Sequence, residues 1–274
     1  MRIIFLVITF FFSWFVLPLG SPVSVAAEPG TGKAATVVIG DSLSCGPFGR
    51  ALVSELTKQG QAVTLYCTES STPEHWLDRK NPPHKKGPKK CQVRRPGEEN
   101  LALCGGDGKM PDLDVVLSEA HGGRVIIALG ANSLGAPHVD FRYLKIAQMA
   151  KARGGCDWIG PPHMNMGQNI GYKNKKKGAA PTDVEIRESN LDEFYDSLGE
   201  ATQGLCRLVD SRNATRSCDS LHKSCEGNQT VDGIHRTESA GKYWARQISA
   251  ALSGIRGSGV GQGAATAHSA DSQK

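Results

Sequence analysis

The sequence predicts a three-layer α/β/α sandwich built on a parallel sheet of about five strands. Two observations carry this. Short apolar or β-branched runs recur at Thr36 to Ile39, Ala62 to Tyr66, Arg124 to Leu129, Cys156 to Ile159 and Leu205 to Val209, each with the length of a buried strand. Stretches with apolar residues at helical spacing lie between them, and such alternation gives parallel strands with helices on both faces.

Taken in order, the first strand stops at Gly40, and Phe48, Leu52, Val53 and Leu56 then mark a helix through Arg50 to Lys58. Gly40 is read as the residue that lets the chain turn sharply. After the second strand, which ends at Cys67, the segment from Asp78 to Met110 is rich in charge, Pro and Gly. It shows no period and is read as a long loop. Pro111 to Ala120 fits a helix with Pro in its first turn. The third strand leads to Asn132, and Val139 to Arg153 is a further helix with Phe141, Leu144, Ile146 and Ala147 facing inward. The fourth strand runs into Gly160-Pro161-Pro162-His163, where prolines stop the ladder. Residues 164–182 form a second basic loop, Ser189 to Gln203 a helix with Leu191, Phe194, Tyr195 and Leu198 inside, and Ser239 to Leu252 the last helix.

The 274 residues are enough for one large domain or two small ones. Met1-Arg2, an apolar run from Ile3 to Leu19, and Val25-Ala26-Ala27 read as a secretory signal peptide over residues 1–27. The domain then spans 28–253, and the Gly-, Ser- and Ala-rich stretch 254–274 is expected to be disordered. All eight cysteines follow the expected cleavage point, and an even number in an exported chain suggests disulfides. Pairing is open, but Cys45 and Cys67 sit near neighbouring strand ends, as Cys156 and Cys206 begin two later strands; Cys91 with Cys104 and Cys218 with Cys225 would close local loops. No Cys-x-x-Cys pair is present, so no zinc site or other metal centre is expected.

The formal net charge is +5, and the positive charge is unevenly spread. Arg79, Lys80, Lys85, Lys86, Lys89, Lys90, Arg94 and Arg95 lie together with no acid among them, and Lys173, Lys175, Lys176 and Lys177 form a second group. Such runs suit an anionic polymer, a phosphate-bearing envelope or acidic lipid. Nucleic acid is not expected, because these runs lack aromatic residues for base stacking. A stable membrane span is not expected once residues 1–27 are removed.

Three motifs point to chemistry. Gly40-Asp41-Ser42-Leu43 stands where a strand gives way to a helix, at the sheet edge where open α/β sheets bind ligands. Gly130-x-Asn132 ends another buried strand, and Asp232-x-x-His235 stands at the entrance to the last helix. In this order the motifs resemble those of the SGNH hydrolases, the GDSL esterase and lipase family, in an exported, bacterial-type form, over roughly Thr36 to Leu252. The resemblance implies a flavodoxin-like sheet and acyl transfer without a cofactor. Ser42 would be the nucleophile, His235 its base, and Asp232 the partner that orients the ring. The Ser42 amide and the Asn132 side chain would line the oxyanion hole. Where the family's second block carries a glycine, this chain has Ser70 and Ser71, and either backbone amide could supply the further donor.

Trp76 and His163 are candidate substrate contacts, and Trp158 and Met164 could line an acyl pocket. Polar, basic loops around the cleft favour short acyl esters, O-acetyl groups above all, on a carbohydrate. Two alternatives use the same fold: transfer of the acyl group to a sugar, and glycan binding without catalysis.

Overall fold

The computed structural model describes residues 35–165, 180–216 and 226–254, all within one compact unit, Lys33–Lys274. The expected signal peptide, the tail beyond 254, the lysine group at 173–177 and the Cys218 and Cys225 pair lie outside the described residues.

Seven strands form one sheet: β1 (Ala35–Gly40), β2 (Ala62–Thr68), β3 (Cys91–Arg94), β4 (Ala102–Leu103), β5 (Arg124–Ala128), β6 (Gly155–Ile159) and β7 (Arg207–Val209). Their order is β4-β3-β2-β1-β5-β6-β7. The five strands read from the sequence are all parallel, in the order β2-β1-β5-β6-β7. The chain winds one way from β1 to β2 and the other way from β5 onward, so the carboxyl ends of β1 and β5 flank a switch point, the usual place for a ligand. β3 and β4 are antiparallel additions beside β2. They correct the reading of 78–110 as a loop: strands of four and two residues are too short to show a period.

Helices cover both faces. On one side, α1 (Ser42–Cys45), α2 (Pro47–Lys58) and α9 (Glu238–Leu252) pack Phe48, Leu52, Leu56, Trp244 and Ile248 onto Val38, Leu65 and Ile126. On the other lie α3 (Pro73–Asp78), α4 (Leu113–Ser118), α5 (Phe141–Arg153), α6 (Asp183–Ser189) and α7 (Leu191–Thr202). There Leu117, Ile146, Phe194 and Leu198 meet Val37, Ile39, Ile127 and Trp158. Neighbouring residues of β1 and β5 thus enter opposite cores, as the two-residue period of a strand requires. Each Leu or Ile buried this way contributes about 1.5–3 kcal/mol. The short helix α8 (Arg212–Thr215) follows β7.

α3 and α6 were not expected. α6 is entered through Thr182 and Glu185, which cap each other reciprocally. In α5 the inward face is Tyr143, Ile146, Ala147 and Ala150, whereas Phe141 is 69% exposed and Leu144 39% exposed. The stripe follows i, i+3, i+4, i+7 from Tyr143, which places the two predicted residues off its centre. Cys45–Cys67, Cys91–Cys104 and Cys156–Cys206 are disulfide-bonded. Among the described residues no helix is long and apolar enough to cross a membrane.

Candidate active site

Ser42 opens α1 directly beyond the carboxyl end of β1. Asp41 fixes this turn by accepting a hydrogen bond from the Leu43 amide at 3.0 Å. Gly40 is needed for space more than for turning: a Cβ there would lie 1.9 Å from Ser44 Oγ. Asp41 is almost wholly buried. Burial pushes its carboxyl up to about 7, against the opposing pull of the Leu43 amide, His235 and Arg187.

His235 comes from a tight turn before α9. Thr230 and Arg236 bridge across it, Val231 N–H donates to the His235 carbonyl at 2.9 Å, and Gly233 takes φ 97 at its tip. Asp232 Oδ1 accepts from the Ile234 amide at 2.9 Å and the His235 amide at 2.8 Å. Its Oδ2 stands 2.6 Å from His235 Nδ1, and His235 Nε2 stands 3.2 Å from Ser42 Oγ. Partial burial tends to raise the Asp232 carboxyl, but the bonds from the His235 ring and the two amides prevail and hold it below the ordinary carboxylate range. An ionised carboxylate only accepts, so the ring proton sits on Nδ1 and Nε2 is left to accept from Ser42. Asp232 does not cap the last helix: Thr237 does, its side chain accepting from Ala240 N. The motif belongs to a turn rather than to a helix entrance.

Asn132 follows β5 in the short 3₁₀ turn Ala131–Ser133, entered through Gly130 at φ 143. Its Nδ2 donates to the Ser71 carbonyl at 3.1 Å, leaving its second N–H for another acceptor. Ser71 is buried; its amide donates to the Thr68 carbonyl at 3.2 Å, its hydroxyl donates to the Gly40 carbonyl, and the same Oγ accepts from Trp76 Nε1. Ser70 is exposed and holds φ 61, the left-handed region that favours glycine. Five predicted residues, Ser42, Ser70, Ser71, Asn132 and His235, with Asp232 behind the ring, therefore gather at one sheet edge.

Trp76 does not join them. It is 0% exposed, and its indole braces Ser71 from within the core. Trp158 and Met164 are equally buried, Trp158 donating to the Leu129 carbonyl at 2.9 Å. None of the three is open to a ligand, because each fills the core beneath the edge. His163 is engaged by Glu188: its Nδ1 pairs with Glu188 Oε1 at 2.7 Å, and its backbone amide donates to Thr215 Oγ1 at 2.9 Å.

Three neighbours escaped the sequence reading, and Asp41, though part of the first motif, was given no role of its own. Arg187 donates through its guanidinium to the Ala131 carbonyl beside Asn132. Glu188 accepts from His163 and from the Met164 amide. Arg236 is buried next to His235, bonds the carbonyls of Ile234 and His163, and lies 5.9 Å from the Trp244 ring. Burial pushes its guanidinium down to about 10. The Thr182-x-x-Glu185 pattern was the available signal for the helix that carries Arg187 and Glu188. No local signal marks Arg236. No group of three metal-ligating side chains occurs among the described residues.

No family model matches the chain. No curated protein matches it either. Similar solved structures include a DUF4886 family protein from Bacteroides uniformis, at 12% identity and TM-score 0.52, covering 81% of this chain and 83% of that one. A proposed acylhydrolase from Bacteroides fragilis aligns at 13% identity and TM-score 0.48, over 82% and 89%. The catalytic domain of peptidoglycan O-acetyltransferase A from Streptococcus pneumoniae aligns at 15% and 0.42, over 81% and 94%. What the chain shares with the first of these is its fold, a mixed α/β sandwich with helices on both faces of the sheet.

Proposed function

We propose that the protein is an exported serine esterase that removes short acyl groups, O-acetyl above all, from a carbohydrate. The observation that carries this reading is the hydrogen-bonded chain Ser42–His235–Asp232, with spacings of 3.2 and 2.6 Å. A serine hydroxyl needs a base within such reach to act at neutral pH.

As Ser42 Oγ attacks the ester carbonyl, its proton passes to His235 Nε2, and Asp232 stabilises the resulting imidazolium. Collapse of the tetrahedral intermediate expels the alcohol, which takes that proton and leaves the acyl group on Ser42. Water then attacks the acyl-enzyme, giving its proton to His235. The proton returns to Ser42 Oγ as the carboxylic acid departs. The oxyanion would be met by the Ser42 amide, the second Nδ2 hydrogen of Asn132 and the Ser70 amide. Ser70 is favoured over Ser71 because the Ser71 amide is already spent on Thr68.

The preference for short acyl groups on a carbohydrate rests on the polar, basic segments expected around the cleft. The three disulfides suit an oxidising, extracytoplasmic compartment. The test is hydrolysis of p-nitrophenyl acetate by the purified protein and by Ser42→Ala. We expect the variant to lose at least about 10⁴-fold in kcat; equal rates would end the esterase reading. Product analysis with a sugar acceptor present separates hydrolysis from transfer.

A further inference from the structure

The inserted segment between α3 and α4 ends at the catalytic edge. Thr68 pairs with Cys91 and Gly40 with Cys67, so the start of β3 is level with the residues just before Ser42. It lies two strands, about 10 Å, to the side. The residues ahead of Cys91 therefore project past the sheet beside Ser70. Lys89 confirms this placement, its Nζ pairing with Glu69, the residue before Ser70.

Several of the cations here are neutralised: Arg79 pairs with Asp112, Lys80 with Asp78 and Lys89 with Glu69. Lys85, Lys86 and Lys90 are exposed and have no carboxylate partner among the described residues. The loop that carries them is tied firmly. Asn81 Nδ2 donates to the carbonyls of Lys89 and Gly108 at 2.7 and 2.8 Å, and its Oδ1 accepts from the Met110 amide. Cys91–Cys104 closes its base. The stem of Lys90 runs across Gly108, where a Cβ would come within 2.8 Å of it. A loop that merely kept the protein soluble would need none of these ties.

We propose that Lys85, Lys86 and Lys90 form a docking rail for a polyanionic glycan, so that the ester presented to Ser42 belongs to an acidic polysaccharide. This rests on the esterase reading and narrows its substrate class. The loop Asn81-Pro82-Pro83-His84-Lys85-Lys86-Gly87-Pro88-Lys89-Lys90 has no large apolar residue to insert into lipid and no Phe, Tyr or Trp to stack on a base. A hydrated polyanionic glycan is a partner that exposed cations can hold without apolar or stacking contacts.

The test compares the wild-type protein with the variant carrying Lys85→Gln, Lys86→Gln and Lys90→Gln on O-acetylated polygalacturonate and on neutral O-acetylated xylan. The variant is expected to raise KM for the acidic polymer about tenfold relative to the neutral one. About 0.5 M NaCl should do the same to the wild type by shortening the Debye length to a few ångströms. A ratio unchanged by both treatments overturns the proposal. Binding of unacetylated polygalacturonate to Ser42→Ala needs no turnover, so it tests the rail even if the esterase reading fails. Retention lost with the three lysines supports the rail; retention independent of them, or binding confined to phosphatidylglycerol vesicles, overturns it.

Discussion

Phe48 and Trp244 stack with ring centroids 3.6 Å apart, which ties the helix that follows Ser42 to the helix that follows His235. Gly241 brings the same two helices together, since a Cβ there would come within 2.7 Å of Pro47. The Ser42 to His235 distance is thus set by core packing as well as by the turns themselves. Phe48→Ala is expected to cost about 3–5 kcal/mol in urea unfolding. It should also lower kcat of the remaining folded protein, whereas Phe48→Leu should cost less than half as much. Full activity in a folded Phe48→Ala protein would show that the turns alone hold the geometry.

Asn132 is expected to act on the transition state. Asn132→Ala should lower kcat about 10²- to 10³-fold with little change in KM. Because Asn132 also supports the Ser71 carbonyl, thermal unfolding of the same variant checks that the loss is chemical. A rise in KM at constant kcat would assign Asn132 to ground-state binding instead.

The Asp41 carboxyl makes stability depend on pH. Its pKa rises from 3.8 to about 7 on folding, so between those values the native state holds a proton that the unfolded chain has released. Stability therefore falls as pH rises through that window, by an amount of order 4 kcal/mol, and levels off above about pH 7. Asp41→Asn keeps an oxygen for the Leu43 amide and removes this penalty. The variant should match the wild type near pH 4 and exceed it near pH 8 in urea unfolding. A difference that stays constant across that range would contradict the assignment.

Arg236 holds two carbonyls that nothing else described satisfies in its place. Arg236→Ala should cost about 2–4 kcal/mol through those unpaired groups. Arg236→Lys should keep the fold but lower kcat, since a single ammonium cannot span both carbonyls as the guanidinium does. Unchanged kcat in the Lys variant would confine Arg236 to stability.

The disulfides should differ in worth by the loops they close. Cys156–Cys206 spans 50 residues and Cys91–Cys104 spans 13. Chain entropy assigns about 4 kcal/mol to the first and about 3 to the second. Paired Cys→Ser replacements followed by denaturant unfolding test the order.

Much of this fold was legible because β1, β2 and β5 are largely buried runs of apolar and β-branched residues, and helical spacing follows β1 and β5. The three candidate motifs were legible because each falls at a strand end or turn, where the chain must change direction. What stayed hidden depended on distant contacts. β3 and β4 are held by a disulfide and by pairing with β2, neither of which leaves a local period. Trp76 looked available because it follows the Ser70-Ser71 turn, yet helix α3 turns it beneath Ser71. Arg236 follows His235 directly in sequence, but its burial comes from Trp244 and the loop after β6.

The most direct measurement is the site and rate of covalent labelling by a fluorophosphonate probe, read by peptide mass spectrometry. A single adduct on Ser42 is expected, forming at least about 100-fold more slowly in His235→Ala. An adduct on another residue, or a labelling rate unaffected by the loss of the imidazole, would contradict it.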